Sequence, residues 1–164
     1  MTLTPLSELP DDSQLWVFGI ERPLTDQQEQ DFFFELDRFL EVWAAHGEKM
    51  VCGREMRSSR FLFVAVDLTS VPPSGCSIDG LVHFLKEQEV SLGLKILDNS
   101  PIWFRLKGSI ERVSRGKFRE LAVDGAVTMQ CTVFDNSISR LSQLRSGGWE
   151  KAVEDSWHKI FFPE

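Results

Sequence analysis

Phe61-Leu62-Phe63-Val64-Ala65-Val66 is the strongest strand signal in this chain. A continuous apolar run of this length, rich in aromatic and β-branched residues, is typical of a strand that crosses a core. Before it, Arg57-Ser58-Ser59-Arg60 predicts a hairpin turn, and residues 50–57 form a weaker strand candidate. We therefore expect an antiparallel strand pair in the centre of the first half of the chain.

On the N-terminal side of this pair, the sequence predicts a strand followed by a helix. Leu15-Trp16-Val17-Phe18-Gly19-Ile20 is a short apolar run bounded by polar residues, which is typical of a buried strand. Thr25-Asp26-Gln27-Gln28 then matches a capping box, which marks the start of a helix. Gly47, after His46, predicts a left-handed C-cap for that helix. The residues before the strand, Thr2 to Ser13, predict a loose arm.

On the C-terminal side, a second helix and a last strand are expected. Ser77 is a good N-cap candidate, and Gly93 predicts the end of the helix. Leu94-Lys95-Ile96-Leu97 predicts a closing strand. Residues 14–99 then follow the order β-α-β-β-α-β, so the sequence predicts an α+β domain of the ferredoxin-like type.

Residues 100–164 predict a second, smaller α+β module. Residues 102–106 and 129–134 predict strands, with a helix through Lys117 to Val123 between them. The tail places Val153, Trp157, Ile160 and Phe161 at helical spacing, which predicts a final helix. The expected domains are thus 14–99 and 100–164.

Composition narrows the class of protein. Lys and Arg number 18 against 25 Asp and Glu, and the net charge of −7 disfavours binding to nucleic acid. The three cysteines form no C-x-x-C pair, which argues against a disulfide framework and a cysteine-based zinc site. No leader pattern precedes Pro10 and no apolar stretch is long enough to span a bilayer. We expect a cytoplasmic protein without membrane contact, metal or cofactor.

One segment carries a candidate reactive group. Ser74-Gly75-Cys76-Ser77-Ile78-Asp79 places a thiol at a predicted helix entrance, where unpaired N–H groups and the helix dipole favour a thiolate. As a nucleophile, the Cys76 thiol would need a base. His46 or His158 would be that base, with Ser77 or Asp79 as an orienting group. His83 lies two turns along the same helix and is too distant. The alternative is that the segment is only a well-built helix cap.

A second set of residues predicts a binding site. Aromatic side chains and a polar pair at a strand end are typical of ligand pockets, although they are also typical of cores and turns. The candidate binding residues are Trp43, His83, Trp103, Asp135, Asn136, Trp149 and Trp157.

Several motifs together resemble a family of small uncharacterised bacterial proteins. The motifs are Trp43-Ala44-Ala45-His46-Gly47, Gly75-Cys76-Ser77-Ile78-Asp79 and Asp155-Ser156-Trp157-His158. Members of that family sometimes carry the label "ABC transporter ATPase". Such an ATPase needs a G-x-x-x-x-G-K-[ST] loop to hold phosphates, and this chain has none, since residues 53–59 contain one Gly and no Lys. ATPase activity is not expected.

Residues 102–157 resemble bacterial GYF-like adaptor domains in the order of their strands, short helix and Trp149. This resemblance implies peptide binding, although Ser109-Ile110-Glu111 stands where a Gly-Pro pair is expected. We therefore expect a non-catalytic protein that binds a partner protein or a small ligand, at an exposed sheet edge or in an aromatic cleft between the halves. The alternative hypothesis is a thiol-dependent enzyme or redox-responsive protein that uses Cys76.

Overall fold

A computed structural model describes residues 3–164 and has an α+β fold, with four α-helices and three antiparallel sheets. The chain divides into two compact units. The first contains residues up to Leu97 together with Ser139–Ser142, and the second contains Asp98–Ile138 and Gln143–Glu164. Each unit has its own layers and its own hydrophobic core.

The first unit is built on a three-stranded sheet of order β1-β5-β4, with two helices and a small hairpin. In chain order its elements are β1 (Gln14–Gly19), α1 (Asp26–Glu41), β2 (Ala44–Ala45), β3 (Glu48–Lys49), β4 (Cys52–Arg57), β5 (Phe61–Val66) and α2 (Gly75–Leu92).

The predicted central strand is confirmed as β5, and every one of its six residues is 0% exposed. It pairs antiparallel with both β1 and β4. Leu62, Val64 and Val66 belong to the core that α1 and α2 cover. Three residues, 58–60, join the paired Arg57 and Phe61, and Ser58 and Ser59 among them have φ of 54° and 53°, in the left-handed region.

Helix α1 starts as expected but ends earlier than the sequence predicts. Thr25 forms the capping box with Gln28, whose backbone N–H donates to Thr25 Oγ1 at 3.2 Å. The expected C-cap at Gly47 is wrong. His46 and Gly47 have φ of 53° and 79° and form the turn of the β2–β3 hairpin, so the helix stops at Glu41.

Helix α2 begins one turn before the predicted N-cap at Ser77. Ser74 is the N-cap, because its Oγ accepts from the N–H of Ser77 at 3.2 Å and Ser77 Oγ accepts from the N–H of Ser74 at 2.7 Å. Cys76 is therefore inside the first turn of the helix. Gly93 ends the helix with φ of 67°, as predicted.

The predicted closing strand over residues 94–97 does not form. Glu89 Oε2 accepts the backbone N–H groups of Ile96 and Leu97 at 2.7 and 3.0 Å, so the donors that a strand ladder would use are occupied. One backbone bond, from the N–H of Glu21 to the carbonyl of Lys95 at 2.9 Å, joins this segment to the end of β1. The sheet consequently has three strands.

The N-terminal residues pack instead of forming a loose arm. The N–H of Thr4 donates to the carbonyl of Cys52 at 2.9 Å, and a 3₁₀ turn over Leu6–Glu8 follows. Leu6 and Leu9 are buried, and their burial holds the segment in place. Thr2, which the prediction included, lies outside the described residues.

The second unit is built on a four-stranded sheet of order β7-β6-β8-β9. Its elements are β6 (Ile102–Leu106), β7 (Ser109–Val113), α3 (Arg115–Val123), β8 (Thr132–Phe134) and β9 (Glu150–Ala152), with 3₁₀ helices over Val153–Asp155 and Trp157–Phe161. A short helix, α4 (Leu141–Arg145), begins at residues grouped with the first unit and ends in the second.

The C-terminal tail is not the single helix that its spacing predicts. Residues Glu150–Ala152 form β9, which pairs with β8, and Asp135 donates its N–H to the carbonyl of Trp149 at 2.7 Å just before this strand. Ser156 then caps the second 3₁₀ helix. Ile160, one of the residues at helical spacing, is 62% exposed.

Candidate functional site

Cys76 is an exposed residue in the first turn of α2. Asp79 is exposed three residues further along the helix, and His83 pairs with Glu87 at 3.2 Å with a side chain that is 76% exposed. In the described part of the first unit, the Cys76 sulfur accepts no hydrogen bond from His46 or His83, and His46 is exposed in the β2–β3 turn. No assembled thiol and imidazole pair is therefore present in this unit.

Trp43 is a core residue of the first unit. It is 4% exposed, its Nε1 donates to the carbonyl of Ser77 at 2.8 Å, and its ring lies 5.9 Å from that of Trp16. The indole thus ties the chain after α1 to the first turn of α2, and it contributes to packing.

A cavity of about 170 Å³ lies within the second unit. Its walls combine aromatic side chains with polar groups that have defined partners. The lining residues are Asn99, Pro101, Trp103, Arg115, Phe134, Asn136, Ser137, Trp157 and His158. Strand β6 supplies Trp103, the end of β8 supplies Phe134, and the last 3₁₀ helix supplies Trp157 and His158.

Asp135 organises the polar side of this cavity. Its Oδ1 accepts from the backbone N–H and the Oγ of Ser137 at 3.0 and 2.5 Å and from Trp157 Nε1 at 3.0 Å. Its Oδ2 lies 3.1 Å from Lys151 Nζ. Burial opposes ionisation of this carboxyl, but the hydrogen bonds from Ser137, Trp157 and Lys151 outweigh it and lower the pKa of Asp135. The residue is a carboxylate whose two oxygens are already used.

Asn136 carries a buried donor that the protein does not use. Trp149 Nε1 donates to Asn136 Oδ1 at 2.9 Å. Because an indole N–H can only donate, this bond fixes which end of the amide is oxygen. Among residues 3–164, Nδ2 of Asn136 is buried and has no hydrogen-bond partner. A buried N–H group without an acceptor costs roughly 1–3 kcal/mol, which makes this group a candidate contact for a ligand.

His158 is 1% exposed and neutral at physiological pH. Burial lowers the pKa of His158 to about 4, Asp135 acts in the opposite direction, and the charges of Lys151 and Arg115 lower it further. Ser156 Oγ lies 2.6 Å from Nδ1, and the imidazole stacks on Trp157 with ring centroids 4.0 Å apart. The ring is held on one face by Trp157 and at one nitrogen by Ser156.

Arg115 brings a positive charge to the cavity. It is the first residue of α3, and its Nε donates to the carbonyl of Ser100 at 3.0 Å. Its guanidinium carbon lies 5.6 Å from the centroid of the Trp157 ring, within the range of a cation–π contact. No other protein partner is found for its terminal nitrogens in the described chain, so these donors are available to a ligand.

The structure brings together those predicted site residues that belong to the second unit. Those in the second unit, which line or support the cavity, are Trp103, Asp135, Asn136, Trp149, Trp157 and His158. Those in the first unit are Trp43, His46, Cys76, Asp79 and His83. Trp43 is in the core there, and the other four are exposed.

Sequence reasoning missed several cavity residues, chiefly Arg115 and Pro101. Arg115 follows Ser114, whose Oγ accepts from the N–H of Lys117 at 3.1 Å, so a Ser-Arg pair at a helix start was the available signal. That signal gives the position of the helix but not the neighbours of its first residue.

Comparisons with family models, with curated proteins and with solved structures find no significant match to this chain. No group of three or more His, Cys, Asp or Glu side chains within residues 3–164 is placed to hold a metal ion. In the same range, no helix has the length and apolar character needed to cross a membrane.

Proposed function

We propose that this protein is a cytosolic, non-catalytic binding protein, and that the aromatic cavity of the second unit holds a small ligand or one group of a partner protein. The observation that carries the proposal is the unused Nδ2 donor of Asn136, a residue that lines the cavity together with Trp103, Trp157 and His158. Binding pockets commonly combine apolar walls with a few placed polar groups.

The geometry around Ser156 and His158 supports binding over catalysis. Ser156 is 3% exposed, and its Oγ accepts from the backbone N–H of His158 at 3.5 Å as the cap of the 3₁₀ helix. A nucleophilic serine must reach its substrate, and this hydroxyl is committed to the helix cap and to Nδ1. The pair therefore fixes the imidazole and does not supply a nucleophile.

We infer that the first unit is a ferredoxin-like sheet in which an irregular segment replaces the fourth strand. The sheet order β1-β5-β4, antiparallel throughout, supports this inference. Membership of the family of small bacterial proteins and the GYF-like character of the second unit are likewise part of the proposal.

A cavity-blocking variant tests the proposed function. Asn99 is exposed, lines the cavity and has no side-chain hydrogen bond in the described chain, so Asn99→Trp can obstruct the cavity without removing a contact. Glu111→Trp, on the exposed side of β7, is the matched control. A fragment screen by NMR should shift the indole signals of Trp103 and Trp157 in the wild type and in Glu111→Trp, and not in Asn99→Trp. A screen without hits in the wild type contradicts the proposal.

A further inference from the structure

We propose that the cavity of the second unit binds a single-ring carboxylate, with the ring against the Trp157 face of the cavity and the carboxylate on Asn136, Arg115 and His158. This inference rests on the proposed function, since it names the class of ligand for the same cavity. It follows from the size of the cavity, from the balance of its donors and acceptors, and from its charge.

The volume of the cavity accommodates a ligand of one ring. About 170 Å³ is slightly more than the roughly 150 Å³ of an engineered apolar cavity that admits benzene. It is well below the range of about 300–1,000 Å³ of pockets for drug-sized molecules. Pro101, Trp103, Phe134 and Trp157 provide flat apolar walls. A six-membered ring with one small substituent therefore fits both the size and the walls.

The hydrogen-bonding groups of the cavity are predominantly donors. Asn136 Nδ2 is unused, and Arg115 has two terminal nitrogens without a protein partner among the described residues. We assign the hydroxyl hydrogen of Ser156 to Nδ1 of His158, which lies 2.6 Å from Ser156 Oγ. The ring hydrogen of His158 is then on Nε2, which makes this nitrogen a third donor.

The charge of the lining selects an anionic acceptor. Arg115 is the one charged residue among the lining residues, and no Asp or Glu is among them. Asp135 lies beside the cavity, but Ser137, Trp157 and Lys151 occupy its oxygens. A carboxylate has two acceptor oxygens in one plane, which suits an amide N–H together with a guanidinium. A cation would meet Arg115 without any compensating carboxylate.

Three probes of similar size separate the contributions of ring, acceptor and charge. Benzoate, benzamide and toluene are titrated into the intact protein, and binding is followed by NMR shifts of the Trp157 indole. We expect benzoate to bind at least about tenfold more tightly than benzamide, because charge-assisted hydrogen bonds are about twice as strong as neutral ones. Toluene should be the weakest of the three.

Two variants assign the selectivity to named groups. Asn136→Asp keeps an oxygen for Trp149 Nε1 and replaces the unused Nδ2 donor by an acceptor, so benzoate affinity should fall about tenfold or more. Arg115→Gln should reduce benzoate affinity and its dependence on salt. Arg119→Gln, on the same helix but outside the cavity, should leave both unchanged. If Asn136→Asp fails to fold, the comparison of the two arginine variants decides.

The outcomes distinguish this inference from the proposed function. If benzamide or toluene binds as tightly as benzoate, or if Arg115→Gln behaves as Arg119→Gln does, the carboxylate assignment is overturned while the cavity remains a binding site. If none of the three probes shifts the Trp157 indole and a broad fragment screen gives no hits, both proposals fail.

Discussion

The buried imidazole of His158 predicts a specific loss of stability in mild acid. Its pKa is lowered from 6.5 to about 4 in the folded state, chiefly by burial, so the unfolded chain takes up a proton at a higher pH than the folded chain does. The stabilisation of the folded state by the neutral His158 ring is complete above pH 6.5. It decreases between pH 6.5 and about pH 4, and it is fully lost below about pH 4. At pH 4.5 the unfolded ring is almost fully protonated and the folded ring about one quarter protonated.

From these two pKa values, the second unit should be less stable at pH 4.5 than at pH 7.5 by roughly 2–3 kcal/mol through this one group. The measurement is a urea titration at both pH values, followed through NMR signals of β6 and β8. His158→Asn keeps an acceptor for Ser156 and removes the titrating group, so most of the acid sensitivity should disappear. His83→Asn replaces an exposed histidine and is the control, and this variant should keep the acid sensitivity of the wild type.

A second acidic group titrates outside the chosen window. The pKa of Asp135 is lowered from 3.8, with burial as the opposing influence, so its stabilising contribution is lost mainly below that pH. The interval between pH 7.5 and 4.5 therefore isolates His158 from Asp135. Equal losses of stability in the wild type and in His158→Asn over that interval would refute the reasoning.

Other predictions concern the first unit. Iodoacetamide should alkylate the exposed Cys76 in the folded protein and leave Cys52 unmodified until urea unfolds it, because burial raises the pKa of the Cys52 thiol to about 11; mass spectrometry of the peptides distinguishes the two sites. In urea titrations, Gly53→Ala should destabilise the protein by about 1–3 kcal/mol, because the new methyl group overlaps a carbonyl of the N-terminal segment. Gly80→Ala is the control, because α2 has room for its methyl group, and it should leave the stability unchanged or raise it by up to about 1 kcal/mol. Trp43→Phe should cost roughly 0.5–1.5 kcal/mol in the same titrations, because the buried indole hydrogen bond to α2 is lost, and an unchanged midpoint would contradict that role.

The helices and strands that the sequence predicts correctly are those that depend on residues close to them in sequence. The run 61–66 becomes β5 because six consecutive apolar residues have no favourable position except in a core. The capping box at Thr25 and the left-handed Gly93 likewise depend on residues within one turn. The α+β class follows from these elements, and the structure confirms it.

The secondary-structure predictions are wrong where a side chain or strand distant in sequence determines the local conformation. Residues 94–97 have the composition of a strand, but the carboxylate of Glu89 takes their N–H groups. The tail has helical spacing, but the partner strand β8 is available and pairs with residues 150–152. Local propensity is a weak preference, and tertiary hydrogen bonds of this kind override it.

The sequence predicts individual residues of the candidate site but does not predict that they lie close together. Trp157 and Asn136 are residues of a suitable type, yet their proximity depends on the order β7-β6-β8-β9 and on the 3₁₀ geometry of the tail. Arg115 gave no signal of its own, because a basic residue after a helix cap is normally solvated. The chemistry of the cavity therefore emerges from the sheet order and not from any motif.

Asp135 illustrates how the site differs from what residue type indicates. A carboxylate at a strand end is typical of a direct ligand contact, but here each of its oxygens is committed to a protein donor. It holds Trp157 at the wall of the cavity and Ser137 at its edge, and its charge is balanced by Lys151. Because this negative charge is neutralised outside the lining, the cavity itself keeps the positive character of Arg115. Asp135 is thus a positioning residue, because its two oxygens hold Ser137, Trp157 and Lys151.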